Sequence, residues 1–220
     1  MNNYFMWHEK YQPQTLDECI LEAFPEHIVK TLKAYDKADK LPNILMYGDA
    51  GTGKSTIARI LTNKEHFEVN VFDGSMLRKE DIPNIQKRFT FYSLFGKRRV
   101  VLIDEADGMT YAAQLALRSV IDPKYEASWI FTGNYRKKII EPIQSRFMQI
   151  ECSLPSASDR DRHIAGIVNR CKQILLSEKI TGVPDSEIFE IVSNKYPDIR
   201  QTINELQLRY AHLSNLAEAA

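Results

Sequence analysis

The sequence has few cysteines, no long apolar run and no excess charge of either sign, and each absence excludes a class of protein. The three cysteines lie far apart, without a CxxC pair or a Cys/His cluster, which argues against a zinc site and a disulfide framework (Cys19, Cys152 and Cys171). The N-terminal segment MNNYFMWHEK is polar and aromatic, so the sequence predicts neither a signal peptide nor a membrane span. We therefore expect a protein of the reducing cytoplasm.

The charge of the chain is balanced, with 29 lysines and arginines against 29 aspartates and glutamates. No overall field attracts such a chain to nucleic acid, so any DNA contact must come from local basic clusters. The length of 220 residues suits one large domain, or a core with a small lid, and is sufficient to bury an apolar interior.

Five short apolar segments are separated by stretches long enough for helices, and this alternation predicts a mostly parallel α/β sheet. The segments are NILMYG (43–48), EVNVFDG (68–74), RRVVLIDE (98–105), SWIFTGN (128–134) and MQIEC (148–152). From about residue 156 only helical patterns remain, and Asp185 is predicted to cap the second of three helices. The predicted organisation is an α/β core with an N-terminal leader over residues 1–154, followed by a helical lid over 155–220.

The segment GDAGTGKS (48–55) matches the pattern G-x-x-x-x-G-K-[ST] and lies between a predicted strand and a predicted helix, where a phosphate-binding loop is required. Gly51 and Gly53 allow the backbone to curl its N–H groups toward phosphate oxygens. Lys54 would contact the β- and γ-phosphates, and the Ser55 hydroxyl would bind Mg²⁺. The segment therefore predicts nucleotide binding.

Two adjacent acids follow the apolar strand VVLI (100–103). Asp104 is predicted to hold the magnesium ion, usually through water. Because neighbouring side chains of a strand point to opposite faces, Glu105 is assigned a separate role, to polarise a water molecule for attack on the γ-phosphate. A strand that simply ends in solvated acids is the competing interpretation, and the phosphate-binding loop disfavours it.

Two further polar residues have both a functional and an ordinary interpretation. Asn134 follows the next strand and could hydrogen-bond the attacking water or a γ-phosphate oxygen, although Gly-Asn is also typical of a plain turn. Arg200 lies in the first turn of the last helix and could place its guanidinium on the nucleotide, or it could be a solvated charge. The residues alone leave both alternatives open.

Six motifs, in this order, resemble those of AAA+ clamp-loader ATPases over nearly the whole chain. They are EKYQPQTLDECI (9–20), GDAGTGKST (48–56), LIDEAD (102–107), AAQLALRS (112–119), EPIQSRF (141–147) and PDIRQTINELQ (197–207). The pattern is similar to replication factor C small subunits and, more closely, to the large subunits of T-even-type bacteriophage clamp loaders. The resemblance implies an AAA+ P-loop core with a five-stranded parallel sheet and a small helical lid.

The resemblance also implies a role for individual residues. The leader would line the adenine pocket with His8, Glu9, Lys10, Tyr11 and Ile20, and the phosphates would be held by Gly51, Thr52, Gly53, Lys54, Ser55 and Thr56. Ser55 and Asp104 would bind Mg²⁺. The residues that take part in hydrolysis would be Lys54, Glu105, Asn134, Arg146 and Arg200. Asn134 would be the first sensor and Arg200 the second sensor. Arg146 would be an arginine finger that acts in trans on the ATP of the neighbouring subunit. Gln114 and Arg118 match a polar pair that couples DNA contact to the ATP site.

The function implied by this resemblance is ATP hydrolysis, stimulated by DNA and clamp, that opens a sliding clamp and places it on primer-template DNA during DNA replication. The implied partners are other clamp-loader subunits in a hetero-oligomer, a pentamer in the family, with the clamp and primer-template DNA and no membrane. Localisation would be the host-cell cytoplasm if the protein is viral. An AAA+ helicase loader or initiator, and a nonhydrolysing ATP-binding assembly subunit, remain as alternatives, and the intact Glu105 disfavours the second.

The chain departs from the family pattern at Gln12, where the family usually has Arg, and at Phe147, where many members have Cys. The collar domain of the family is expected to be absent, whether because the chain is a fragment, because the collar is encoded separately, or because assembly rests on the AAA+ modules.

Binding along the DNA backbone would be independent of sequence and sensitive to salt. The candidate contacts are Arg78, Lys79, Lys87, Arg88, Arg118, Arg136, Lys137 and Lys138.

Overall fold

The computed structural model describes residues 6–21, 24–90, 96–121, 127–152 and 157–217, and within these the side chains of all but 88–90, 157–159 and 214–217. The chain divides into two compact units. The sheet unit comprises Glu26–Asp49 and Lys54–Ser153, and the helical unit comprises Met1–Pro25, Ala50–Gly53 and Leu154–Ala220.

The strands are β1 (Ile44–Tyr47), β2 (Phe67–Asp73), β3 (Arg98–Asp104), β4 (Ala127–Gly133) and β5 (Met148–Glu151). The helices are α1 (Trp7–Lys10), α2 (Glu26–Asp36), α3 (Lys54–Thr62), α4 (Ile82–Thr90), α5 (Tyr111–Arg118), α6 (Glu141–Gln144), α7 (Ala157–Ser177), α8 (Asp185–Lys195) and α9 (Ile199–Ala217). Short 3₁₀ turns lie between several of them.

The sheet unit contains one five-stranded sheet in the order β2-β3-β4-β1-β5, and every neighbouring pair is parallel. The predicted parallel sheet followed by helices is confirmed. The inner strands β1, β3 and β4 are almost fully buried, which explains why their sequences are continuous apolar runs rather than alternating ones. On one face of the sheet, Trp129 and Phe131 of β4 pack with Leu117 of α5 in a continuous apolar core.

The strand register brings the polar strand ends together at one edge of the sheet. Ile103 pairs with Phe131, and Tyr47 pairs with Gly133. Because the strands are parallel, the residues that follow β1, β3 and β4 all emerge at the same edge. This edge is where Gly48, Glu105 and Asn134 lie, so the sheet itself gathers three segments that the sequence predicts to be functional.

The helical unit is built around an apolar core shared by α7, α8 and α9, with Ile167, Ile191 and Leu206 at its centre. Trp7 of α1 belongs to the same core and is only 5% exposed. The leader, predicted as part of the α/β core, therefore groups by its contacts with the helical unit. The predicted boundary at residues 154 and 155 lies outside the described residues and stays a prediction.

One predicted helix cap is wrong. Pro184 is the N-cap of α8, and Asp185 is the first residue of the helix. The Asp185 carboxylate instead accepts a hydrogen bond from Lys172 Nζ of α7, at 2.7 Å. None of the helices in the described part of the chain has the length and apolar character needed to cross a membrane.

Candidate active site

The loop between β1 and α3 has the backbone conformation that its glycines permit. Gly48, Gly51 and Gly53 have φ values of 139°, 79° and 85°, which are strained for any residue with a side chain. Helix α3 begins at Lys54, so the free N–H groups of its first turn and the positive end of its dipole follow directly after the loop. The conformation fits the predicted phosphate-binding loop.

Lys54 is held inside this turn, with 7% of its surface exposed. Its Nζ donates to the carbonyl oxygens of Gly48 and Asp49, at 2.9 and 2.6 Å. Burial lowers the pKa of Lys54 from its ordinary value, and the negative charges near it, Asp104 and Asp107 among them, oppose that shift. A buried ammonium group that donates to neutral carbonyls is well suited to receive an anion, because a phosphate would favour the charged form.

Asp104 at the end of β3 is the centre of a hydrogen-bond network. The Ser55 hydroxyl donates to Asp104 Oδ1 at 2.6 Å, and the Thr132 hydroxyl on β4 makes a second, short hydrogen bond to the same oxygen. Arg59 of α3 forms a longer ion pair with Asp104 Oδ2, at 3.5 Å. Ser55 and Asp104, predicted to share a magnesium ion, are therefore in direct contact.

These two residues suit Mg²⁺ in their chemistry. A hydroxyl and a carboxylate oxygen are hard ligands of the kind that Mg²⁺ prefers, and Mg²⁺ usually keeps several waters beside one or two protein ligands. The contact of 2.6 Å places both oxygens at one point on the sheet edge, next to the start of α3. The arrangement fits the predicted metal site.

Glu105 is separated from Asp104 by a turn. The strand ends at Asp104, and Glu105 has φ 52° and ψ 42°, the left-handed conformation, at the start of the 3₁₀ turn Ala106–Gly108. Strand alternation is the wrong reason for the predicted separation of the two acids, because Glu105 lies outside the strand. The left-handed turn instead leaves Glu105 exposed while Asp104 is half-buried.

Several contacts hold this uncommon backbone in place. The Glu105 N–H donates to Thr132 Oγ1 at 3.3 Å, and its carbonyl accepts from the Gly108 N–H at 2.8 Å. Gly74 packs so closely that a Cβ there would lie 2.5 Å from the Glu105 carbonyl oxygen. A non-glycine residue in a sparsely populated conformation costs about 1 to 3 kcal/mol and concentrates at functional sites, which favours a functional Glu105.

Asn134 directly follows β4 and is exposed at the same edge as Asp104 and Glu105. Arg146 lies just beyond α6 on the sheet unit, and its side chain is exposed. The Arg146 carbonyl accepts a hydrogen bond from the Asn43 side chain at 3.3 Å, while its guanidinium makes a short hydrogen bond to the Pro142 carbonyl. The backbone of Arg146 is thus anchored and its charged group lies at the surface.

The predicted adenine-pocket residues lie in the helical unit, where some of them contact α9 or the residue that follows α7. His8 Nδ1 lies 2.7 Å from Asn204 Oδ1, and the Trp7 N–H donates to Gln207 at 2.8 Å. Glu178 accepts hydrogen bonds from both Lys10 and Tyr11, each at 2.6 Å. Glu9 is exposed and Ile20 is half-buried against the apolar core. Arg200 is exposed in the first turn of α9.

The basic residues proposed to contact DNA have different surroundings. Arg136, Lys137 and Lys138 form an exposed 3₁₀ turn. Gln114, only 2% exposed, bonds through Nε2 to the Lys138 carbonyl and through Oε1 to the Ile140 N–H, and so ties α5 to this basic turn. Arg78 donates to the Ser75 carbonyl, Lys79, Lys87 and Arg118 are exposed, and the Arg88 side chain lies outside the described residues.

Comparison with known proteins decides the family. The model of the AAA family, ATPases associated with various cellular activities, matches residues 44–154, a span that includes all five strands and the network around Asp104. This chain belongs to the AAA family of ATPases. The predicted P-loop core is confirmed as an AAA domain.

Relatives of this AAA chain are named as sliding-clamp-loader large subunits and replication factor C small subunits, which confirms the resemblance stated from its six motifs. The sliding-clamp-loader large subunit of Enterobacteria phage T4 is 31% identical over 202 residues, which are 90% of this chain and 62% of the relative. The replication factor C small subunit of Sulfolobus acidocaldarius is 35% identical over 225 residues, which are 96% of this chain and 65% of the relative. The chain thus spans less than two thirds of the length of these relatives.

A solved structure supports the same AAA fold. The Thermotoga maritima RuvB Holliday junction branch migration motor superposes with a TM-score of 0.70 at 19% identity, covering 94% of this chain and 67% of that one. At this identity the likeness concerns the fold alone.

Sequence reasoning missed three residues of this AAA site: Thr132, Arg59 and Asp107. Thr132 contacts both predicted acids, Arg59 pairs with Asp104, and Asp107 accepts a hydrogen bond from the Tyr135 N–H. A signal was present for Arg59, which lies four residues after Ser55 on α3 and so on the same helix face. Thr132 gave no signal, because threonine is ordinary in a buried strand.

Proposed function

We propose that this chain is the ATP-hydrolysing part of a sliding-clamp loader, which opens a clamp and places it on primer-template DNA during replication. The observation that carries the proposal is the meeting of Ser55 and Asp104, 2.6 Å apart, beside the buried Lys54 and the exposed Glu105. The clamp-loader relatives support the biological role, because they match this chain over nearly its full length.

Each residue of the site has its own role in ATP hydrolysis. Lys54 and the N–H groups at the start of α3 bind and orient the phosphates of ATP. Ser55 and Asp104 would hold Mg²⁺, which supplies positive charge against the phosphate oxygens. Glu105, exposed on its left-handed turn, accepts the proton of the attacking water, and Asn134 at the end of the neighbouring strand positions that water.

Arg146 supplies the remaining charge to the ATP of a neighbouring subunit. Its guanidinium is exposed and bound to a neutral carbonyl, so it can exchange that partner for a phosphate oxygen at little cost. We also propose that the base of the nucleotide is contacted by the leader, through His8, Glu9, Lys10, Tyr11 and Ile20. Arg200 senses the nucleotide, and the basic turn 136–138 binds the DNA backbone. We propose a hetero-oligomer with clamp and DNA as partners, which the sliding-clamp-loader and replication factor C relatives support.

The first test measures ATP turnover by the purified chain with its partner subunits, clamp and primed DNA. We expect turnover to increase when clamp and primed DNA are added, and Glu105→Gln to lower it at least about 100-fold without weakening ATP binding. Glu68→Gln, at the exposed start of β2 and away from the site edge, is the matched control and should leave turnover unchanged. Basal turnover that DNA and clamp do not increase would refute the clamp-loader role, and turnover unaffected by Glu105→Gln would refute the assigned base.

The second test concerns action between subunits. Arg146→Ala should preserve ATP binding and lower stimulated turnover by about 10³-fold or more, as removal of an arginine finger does. Adding Glu105→Gln subunits, which carry Arg146 but cannot hydrolyse ATP, should partly restore it. Arg98→Ala, exposed at the start of β3, is the control. Failure of the mixture to recover any turnover would contradict action in trans.

A further inference from the structure

Asp107 contacts the backbone on both sides of Asn134. It lies in the 3₁₀ turn Ala106–Gly108, directly after the left-handed Glu105, and is half-buried. Its Oδ2 accepts a hydrogen bond from the Tyr135 N–H at 3.1 Å. Its Oδ1 lies against Gly133, where a Cβ would be only 2.8 Å away. One carboxylate therefore touches the residue before Asn134 and the residue after it.

Gly133 is the last residue of β4, and its lack of a side chain is what admits the carboxylate. A real Cβ does not approach an oxygen to 2.8 Å, so alanine at this position would displace Asp107 or the end of the strand. The hydrogen bond to Tyr135 is charge-assisted, and such bonds are about twice as strong as neutral ones. Together these contacts fix the direction in which the chain leaves β4.

Asn134 itself has an exposed side chain, so the direction of its amide depends on the backbone that carries it. A polar group that positions water acts only within about 1 Å of its productive place, and groups behind it commonly set that place. Asp107 is also among the charges that raise the pKa of Lys54 against its burial, which places the carboxylate electrostatically near the phosphate site.

We propose that Asp107 is a positioning residue for ATP hydrolysis, which braces Gly133 and Tyr135 so that the Asn134 amide is held at the edge where Asp104 and Glu105 lie. The inference rests on the proposed hydrolytic function and extends it by one residue. Asp107 does not touch substrate. It acts through Asn134, and its effect should appear in the rate of the chemical step rather than in ATP affinity.

The experiment compares Asp107→Ala with Asp107→Asn in the full chain assembled with its partners. Alanine removes the acceptor, whereas asparagine keeps an oxygen of the same reach for the Tyr135 N–H. We expect Asp107→Ala to lower kcat about tenfold or more, to change the Kd for ATP by less than about threefold, and to be largely rescued by Asp107→Asn. A loss of ATP affinity and melting temperature that asparagine does not rescue would mark Asp107 as merely structural and overturn the proposal.

Gly133→Ala gives an independent route to the same site. Its Cβ should push the carboxylate away and lower kcat as Asp107→Ala does. Because both changes break one contact, the double variant should be no slower than the slower single variant. Losses of kcat that multiply in the double variant would contradict a shared brace.

Amide hydrogen exchange tests the contact between Asp107 and Tyr135 independently of ATP hydrolysis, the function on which the inference rests. The Tyr135 amide should be protected in the unaltered chain and in Asp107→Asn, and should exchange at least about tenfold faster in Asp107→Ala. If the unaltered assembly hydrolyses no ATP, the proposed function fails, and the exchange of Tyr135 still decides the brace. Equal exchange in all three proteins, or a normal kcat in Asp107→Ala, would overturn the inference.

Discussion

Replacing Thr132 by valine should destabilise the sheet unit more than the small change in shape would suggest. Thr132 is 1% exposed on β4, and its hydroxyl takes part in two hydrogen bonds. It donates to Asp104 Oδ1 and accepts from the Glu105 N–H. Valine has nearly the same volume and no hydroxyl, so the substitution removes both bonds and leaves the packing of β4 almost unchanged.

The expected magnitude follows from these two bonds. A hydrogen bond to a charged acceptor contributes about 1.5 to 3 kcal/mol, and the part-buried bond from the Glu105 N–H contributes about 0.5 to 1.5 kcal/mol. Because valine has no hydroxyl to transfer from water into the folded chain, part of this loss is recovered. We therefore expect Thr132→Val to lower the free energy of unfolding by about 2 to 3 kcal/mol, which is a large share of the 5 to 15 kcal/mol typical of a domain.

The assay is urea unfolding followed by tryptophan fluorescence. The chain has two tryptophans, and in a Trp7→Phe background the signal comes from Trp129, which is buried on the same strand as Thr132. With an m-value of about 2 kcal/mol/M, the midpoint should fall by about 1 M. Thr132→Ser is the control, because it keeps the hydroxyl and loses only a methyl group worth about 0.8 kcal/mol. A valine variant as stable as the serine variant would refute the assigned role of the hydroxyl.

Two further predictions concern the helical unit and the thiols. Glu178→Ala removes the acceptor shared by Lys10 and Tyr11, so it should release the leader and allow iodide to quench Trp7 fluorescence more strongly. In Glu178→Gln, which still accepts from Tyr11, iodide should quench Trp7 less than in Glu178→Ala. Equal quenching in the two variants would contradict the assignment. Burial raises the pKa of each of the three thiols, Cys19, Cys152 and Cys171, to about 12. At pH 8 the folded chain should therefore carry about 1,000-fold fewer thiolates than the unfolded chain, and its thiols should be alkylated only after unfolding. Rapid alkylation of any thiol in the folded chain would refute this.

The strands and the phosphate-binding loop could be predicted because their signals are local. A buried parallel strand is a continuous apolar run, and the glycines at 48, 51 and 53 are needed for conformations that other residues avoid. Since parallel strands end at one edge, even the meeting of Ser55 with Asp104 followed from the order of strand, loop and helix.

The remaining features depend on pairings that a single sequence does not reveal. Thr132 contacts Asp104 because β3 and β4 are neighbours in a register that pairs Ile103 with Phe131, and nothing in either strand specifies that register alone. Strand alternation failed for Glu105 because the strand ends one residue earlier, at Asp104. The predicted cap at Asp185 is wrong because α8 begins at Asp185 itself, one residue earlier than a cap at that position requires.

The attachment of the leader to α9 has a consequence for synthesis of the protein. The Trp7 N–H bonds to Gln207, a residue 200 positions later. Ribosomes add about 5 to 20 residues per second, so Trp7 is made about 10 to 40 seconds before its partner exists. During that time the sheet unit can fold while the indole ring of Trp7 stays accessible to chaperones. The leader is therefore translated well before the part of α9 that holds it in its folded position.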